Sequence, residues 1–190
     1  MKTVLALLFA FGVAGEAQAQ TPPAAEHLPR GMALDITNAE ILATVQKTAS
    51  APVSDQQIRV VSINGEYNVG VGVVHRAKTE GRDIGFGVEH SQITEVYHVI
   101  SGNGTFVTGG TIENQREIAA NSPVVTTLNG PSSGGGKVLG GQSRKIGPGD
   151  VVIIPPNTPH WFTEITSDQI VYLVVRVDPH KVLPAGYGAK

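Results

Sequence analysis

The chain has 190 residues, 41% of them hydrophobic and 16% charged, a balance that fits one globular domain and excludes a disordered polyampholyte or a membrane bundle. A formal net charge of -2 offers no basic surface for a run of phosphates, so nucleic acid is excluded as an expected partner. With no cysteine there can be no thiol nucleophile, disulfide or thiolate ligand, and any metal must sit on His and carboxylate.

The first element is an apolar run over residues 4–14 behind Lys2, ending at the small-residue site Ala17-Gln18-Ala19. It has the three parts of a secretory signal peptide, and it is shorter than the about 20 residues a spanning helix needs. The expectation is a signal peptide over 1–19, cleavage after Ala19 and an exported chain, periplasmic or secreted, with no membrane contact after cleavage. Residues 20–34 carry three prolines and no period, which predicts an extended linker.

A helical arm is expected over 35–57. Thr37-Asn38-Ala39-Glu40 has the form of a capping box, with Ile36 and Ile41 as its hydrophobic staple. The helix should run to about Lys47 and lay Ile41, Leu42 and Val45 against the core.

From residue 58 the period becomes two. Residues 58–63, a turn at Asn64-Gly65 and residues 67–75 read as a strand, a hairpin signal and a second strand. Further strands are expected near 84–88, 94–100, 104–108, 124–128, 137–139, 151–154, 159–164 and 169–177, the last too apolar for an open edge. The 23 glycines and 12 prolines punctuate many short strands. The whole reads as all-β, a sandwich or barrel for which a jelly-roll barrel over 58–182 is the closed solution, with a C-terminal tail at 183–190. Residues 129–137 look superficially like a phosphate loop, but Val138 follows Lys137 where Ser or Thr would reach magnesium, so a flexible loop is expected.

Two stretches carry a resemblance to the cupin superfamily. In residues 90–102 a His is followed by four residues, a Glu, six residues and a Gly (His90, Glu95, Gly102); in residues 149–160 a Gly is followed by five residues, a Pro, and a His five positions further on (Gly149, Pro155, His160). The sequence departs from the family pattern at Val88, where the first His of a His-x-His pair would stand, at Asn157 in place of Gly, and at Glu164 in place of Asn. The resemblance implies a cupin-like double-stranded β-helix with a short N-terminal helix. It also implies one divalent metal ion (Fe, Mn, Zn, Ni or Cu) on His90, Glu95 and His160, two imidazoles and a carboxylate with open positions.

Strand parity refines the site. His90 and Glu95 are five apart and share a face only if the chain turns between them, at Ser91-Gln92. Tyr97, on the same face as Glu95, is the candidate catalytic residue, as a proton donor or a hydrogen bond to substrate, with plain core packing the alternative, and Phe162 is a candidate pocket wall. His98 falls on the opposite parity and reads as structural; it is retained as a secondary pocket candidate. His75 shares parity with Tyr67, Val69, Val71 and Val73, on a face that can line the barrel, and is a further pocket candidate, although a strand-end His beside Arg76 is otherwise a surface residue. The function expected from this set is a metalloenzyme acting on a small oxygen-rich molecule, whether dioxygenase, decarboxylase, isomerase or lyase. The alternative is a cupin that binds a small molecule or metal without turnover. A homodimer is compatible with either.

Overall fold

A computed structural model describes residues 27–82 and 85–188, so the signal peptide expected at 1–19 and residues 20–26 of the expected linker lie outside the described residues. In chain order the elements are β1 (His27–Leu28), α1 (Asn38–Lys47), β2 (Val53–Ile63), β3 (Tyr67–Ala77), β4 (Val88–His90), β5 (Thr94–Ser101), β6 (Gly104–Thr108), β7 (Thr111–Ile112) and β8 (Arg116–Glu117). A π-helix (Val124–Asn129) follows, then β9 (Ser132–Gly134), β10 (Val138–Leu139), β11 (Gln142–Ile146), β12 (Val151–Ile154), β13 (His160–Ile165) and β14 (Gln169–Asp178).

The strands form two six-stranded sheets, ordered β1-β2-β3-β14-β5-β12 and β11-β6-β13-β4-β9-β8, beside a two-stranded β7-β10 ribbon. Among the described strands only the β1 to β2 pair is parallel. The expected all-β jelly roll is present, and only its closure is corrected, since the two sheets form a sandwich and not a closed barrel. No strand is shared between the sheets, and the chain changes sheet through turns such as the one after β11, where Gly147 and Asp150 bond each other. What joins the layers is side-chain packing. Tyr97, Val99, Tyr172 and Val174 of the first sheet meet Phe106, Phe162 and Ile165 of the second, all 5% exposed or less. Each such side chain contributes about 1.5–3 kcal/mol by leaving water.

The helix forms where its caps predict. Thr37 Oγ1 accepts from the Glu40 amide at 3.2 Å, and the Thr37 amide donates to Glu40 Oε2 at 3.1 Å. Its buried face is Ile41 and Thr44 with Val45 alongside; Leu42, expected there, is 53% exposed because it falls on the solvent side of the turn. The arm is also shorter than expected, since β2 begins at Val53. A bulge between Gln57 and Arg59 puts two successive residues on the helix side: Ile58 packs on Ile41, and Arg59 reaches Glu40. Gln57 is left facing the sandwich interior, where it meets Arg176.

Two further expectations fail. Residues 124–128 are not a strand: Ser122 takes the amides of Val125 and Thr126 on its carbonyl and that of Val124 on its hydroxyl, which starts a helical turn despite the β-branched run. Residues 132–134, inside the expected flexible loop, are strand β9, paired with both β4 and β8.

Candidate metal centre

The two motifs meet between the sheets. Strand β4 ends at His90, residues 91–93 bend with the Ser91 amide on the Pro131 carbonyl, and β5 carries Glu95 onto the opposite sheet. The turn required by parity is therefore present. Gly102 ends β5 at φ 80°, where an added Cβ would lie 2.0 Å from the Gln169 carbonyl oxygen, so only glycine fits. In the second motif Asn157 adopts φ 57°, a left-handed conformation that asparagine tolerates best after glycine, which accounts for its standing in a glycine position. Its amide donates to the His90 carbonyl at 2.8 Å, tying the two motifs together immediately before His160.

His90, Glu95 and His160 are all buried, and each offers one ligand atom within 4.8 Å of the others. Nε2 of His90 lies 3.5 Å and Nε2 of His160 lies 3.4 Å from the same oxygen, Glu95 Oε2. The hydrogen bonds behind the rings fix their tautomers. Thr158 contributes only a carbonyl oxygen, 2.9 Å from His160 Nδ1, so that nitrogen carries the proton. Ser132 gives its hydroxyl proton to the Gly130 carbonyl at 2.8 Å and so accepts from His90 Nδ1 at 2.8 Å. Both Nε2 atoms then present lone pairs toward a carboxylate, and His160 Nε2 is buried without any hydrogen-bond partner. Three lone-pair donors converge with no proton between the rings and the carboxylate, an arrangement that a cation satisfies.

Electrostatics agree. Burial holds His90 down to about 4, against the pull of Glu95, so it is neutral near pH 7. Burial would push Glu95 up, yet its neighbours outweigh burial and hold it below the usual carboxylate range; with His90 neutral near pH 7, the standing positive charge beside it is that of Arg176. Glu95 is therefore ionised and the His90 imidazole unprotonated, the states in which they ligate metal.

Tyr97 points inward as expected and donates to Glu95 Oε2 at 3.0 Å. Its ring lies 4.5 Å from Tyr172 and 5.7 Å from Phe106, and burial with the nearby Glu95 charge pushes its hydroxyl well above the ordinary phenol range. Phe162 is also inward, packed on Phe106 at 4.7 Å. His98 is exposed on the outer face, opposite Val151 and Leu173, and does not line the site, as its parity required. His75 does not line it either. It is buried on the other face of its sheet, beside the helix, with Nε2 2.9 Å from the Thr48 carbonyl. The face it shares with Val73 is the one that Ile41 covers, whereas Val74 points into the sandwich.

Two participants escaped the sequence reading. Ser132 was hidden in a glycine-rich tract. Arg176, 1% exposed, lies opposite Glu95 on the neighbouring strand and donates from Nε to Glu95 Oε1 at 3.2 Å. Its Nη1 reaches Gln57 Oε1 at 2.6 Å and its Nη2 reaches Asp55 Oδ2 at 2.5 Å. A lone arginine in an otherwise apolar central strand was the available signal, because such a charge must be paired inside.

Two motifs, each crossing from one sheet to the other, thus deliver their His, Glu and His to one point in the expected order. This is the placement that the resemblance to cupins implied. No family model matches the chain, and no curated protein matches its sequence. Among solved structures the chain is similar to a cupin protein from Bacteroides fragilis, with 17% identity, 60% of this chain and 68% of that one covered and a TM-score of 0.37. It is similar to a recombinant oxalate oxidase in complex with glycolate, at 14% identity, 68% and 52% coverage and a TM-score of 0.43, so it spans about half of that protein's length. The EutQ protein of Clostridium difficile is matched at 12% identity, 67% and 69% coverage and a TM-score of 0.38. In this chain Val88 stands where the resemblance would place a first His, paired in register with His160, and among the described residues no further His or carboxylate joins the group.

Proposed function

We propose that this cupin is a metalloprotein holding one divalent ion on His90 Nε2, Glu95 Oε2 and His160 Nε2, and that it is a metalloenzyme for a small oxygen-rich molecule. The observation that carries the reading is the convergence of two unprotonated imidazole nitrogens on one carboxylate oxygen, with His160 Nε2 otherwise orphaned. A bound ion supplies Lewis acidity and open coordination positions for substrate oxygens. The chain's own contribution is to orient both rings through Ser132 and Thr158 and to keep water from the ligands.

A cleft of about 320 Å³ lined by Glu89, Val125, Ser132, Ser133 and Asn157 adjoins the site through Ser132, which touches His90 from behind, and is the proposed approach for a ligand. Export through the leader at 1–19 is part of the same proposal. Among the described residues no helix is long and apolar enough to cross a membrane.

A second reading, metal binding without turnover, draws on a specific feature: the ligands are 5% exposed or less, and the Tyr97 hydroxyl is already committed to Glu95. Elemental analysis of tag-free protein purified without added metal tests the common core of both readings, with one ion per chain expected. Folded protein that takes up none of iron, manganese, zinc, nickel or copper would sink it. Water exchange on a bound Mn²⁺, followed by proton relaxation, separates the two, since an enzyme needs an exchangeable position.

A further inference from the structure

A carboxylate has two oxygens, and in this protein they face different cations' territory. Oε2 of Glu95 points at both imidazoles, whereas Oε1 is taken by the guanidinium of Arg176. That guanidinium is held from three sides, by Glu95, Gln57 and Asp55, and its space is built into the backbone. Gly72, on the strand paired with β14, has no Cβ, and one placed there would lie 2.8 Å from the Gln56 carbonyl oxygen and 3.0 Å from Arg176 Nη1; at Gly70 it would lie 2.3 Å from Gln57 Nε2. A charge positioned so deliberately against the one carboxylate of the centre acts on that carboxylate.

We propose that Arg176 is a positioning residue that makes Glu95 a one-oxygen metal ligand and, through its fixed charge, holds down the affinity of the centre for a divalent ion. The inference rests on the metal reading above. With Arg176 on Oε1, only Oε2 remains for the ion. The two cations share one carboxylate, so each weakens the other's hold. Asp55, on the far side of the guanidinium, offsets part of that charge and so sits on the opposite arm of the same balance.

The test is a Co²⁺ titration of metal-stripped protein, read by visible absorption for both affinity and coordination number. Arg176→Gln removes the charge and frees Oε1: affinity rises about tenfold or more, and absorption weakens as Glu95 becomes bidentate. Asp55→Asn keeps an acceptor for Arg176 but removes the countercharge, and affinity falls by a similar factor. Opposite signs are the signature, because a merely structural role would lower affinity in both variants. Should Arg176→Gln not fold, Asp55→Asn alone decides: unchanged or increased affinity overturns the proposal. A wild type that binds Co²⁺ while both variants shift the same way overturns the role of Arg176 and leaves the metal centre standing. A wild type that binds no Co²⁺ overturns both.

Discussion

Val88 stands directly opposite His160 across the antiparallel β4 to β13 pair. Residues opposite each other in such a pair present side chains to the same face about 4.5–5.5 Å apart, and Val88 also shares parity with His90. The apolar side chain therefore occupies the place from which a fourth ligand would come.

Val88→His should consequently add an imidazole to the centre. Zn²⁺ or Co²⁺ affinity is expected to increase by at least tenfold, measured by competition with a chromophoric chelator. Weaker binding by the folded variant would show that this strand position does not aim at the ion.

The three ligands should differ in what their loss does to the apoprotein. His160→Ala removes a ring whose only hydrogen bond goes to a backbone carbonyl, so metal is lost while β structure persists. Glu95→Ala also strips Arg176 of a buried partner, and such a loss costs about 3–5 kcal/mol. Thermal melts by circular dichroism, with metal removed, should place Glu95→Ala clearly below His160→Ala. Equal melting points would mean that Gln57 and Asp55 suffice for Arg176.

Tyr97→Phe deletes a hydrogen bond to an ionised carboxylate, worth about 1.5–3 kcal/mol, without changing ring packing on Tyr172. Metal stoichiometry should be retained. If the hydroxyl moves a proton in turnover, the rate on a genuine substrate drops roughly 10²-fold or more. Unchanged turnover would reduce Tyr97 to packing and ligand support.

Metal-stripped protein should lose stability as the pH falls below neutrality. Folded His90 titrates at about 4 but near 6.5 when unfolded, so between those values the unfolded chain binds more protons and stability rises with pH, by roughly 3 kcal/mol in all. Glu95, held low in the fold, adds stability that is present above its unfolded value of 4.5 and is lost as the pH falls further. Urea melts at pH 7, 5.5 and 4 should therefore give successively lower midpoints, and His90→Gln should flatten the upper part of that slope. A flat profile in the unaltered protein contradicts the burial of a neutral His90.

Export predicts a mature terminus at or near Gln20. N-terminal sequencing of protein recovered outside the cytoplasm checks it, and an intact Met1 there would overturn it.

The parts of this molecule that sequence made legible are those governed by local rules. The capping box at Thr37 to Glu40, the alternation that separates Tyr97 from His98, and the bend needed between His90 and Glu95 depend on neighbours along the chain, and they formed as expected. Non-local choices were opaque. Whether His75 faces the interior depends on which face of its sheet the helix covers, and parity alone leaves that undetermined. The turn at 124–129 defeats a β-branched run through three bonds to Ser122. Arg176 was visible as an anomaly, but its partners Asp55 and Gln57 are more than a hundred positions away. The alternation Val69-Gly70-Val71-Gly72 leaves room on the adjoining strand for Gln57 and for the Gln56 backbone as well as for that arginine.

The placement of these charges between the sheets also bears on the medium the protein works in. Dissolved electrolyte damps interactions between surface charges over about 8 Å at physiological ionic strength, but it reaches buried pairs far less. With Glu95 and Arg176 each about 1% exposed, the field at the ligand atoms is set by the fold and not by the surrounding solution. For a chain proposed to leave the cell, where dilution and salinity are uncontrolled, the affinity of the centre should stay nearly constant from fresh water to brine.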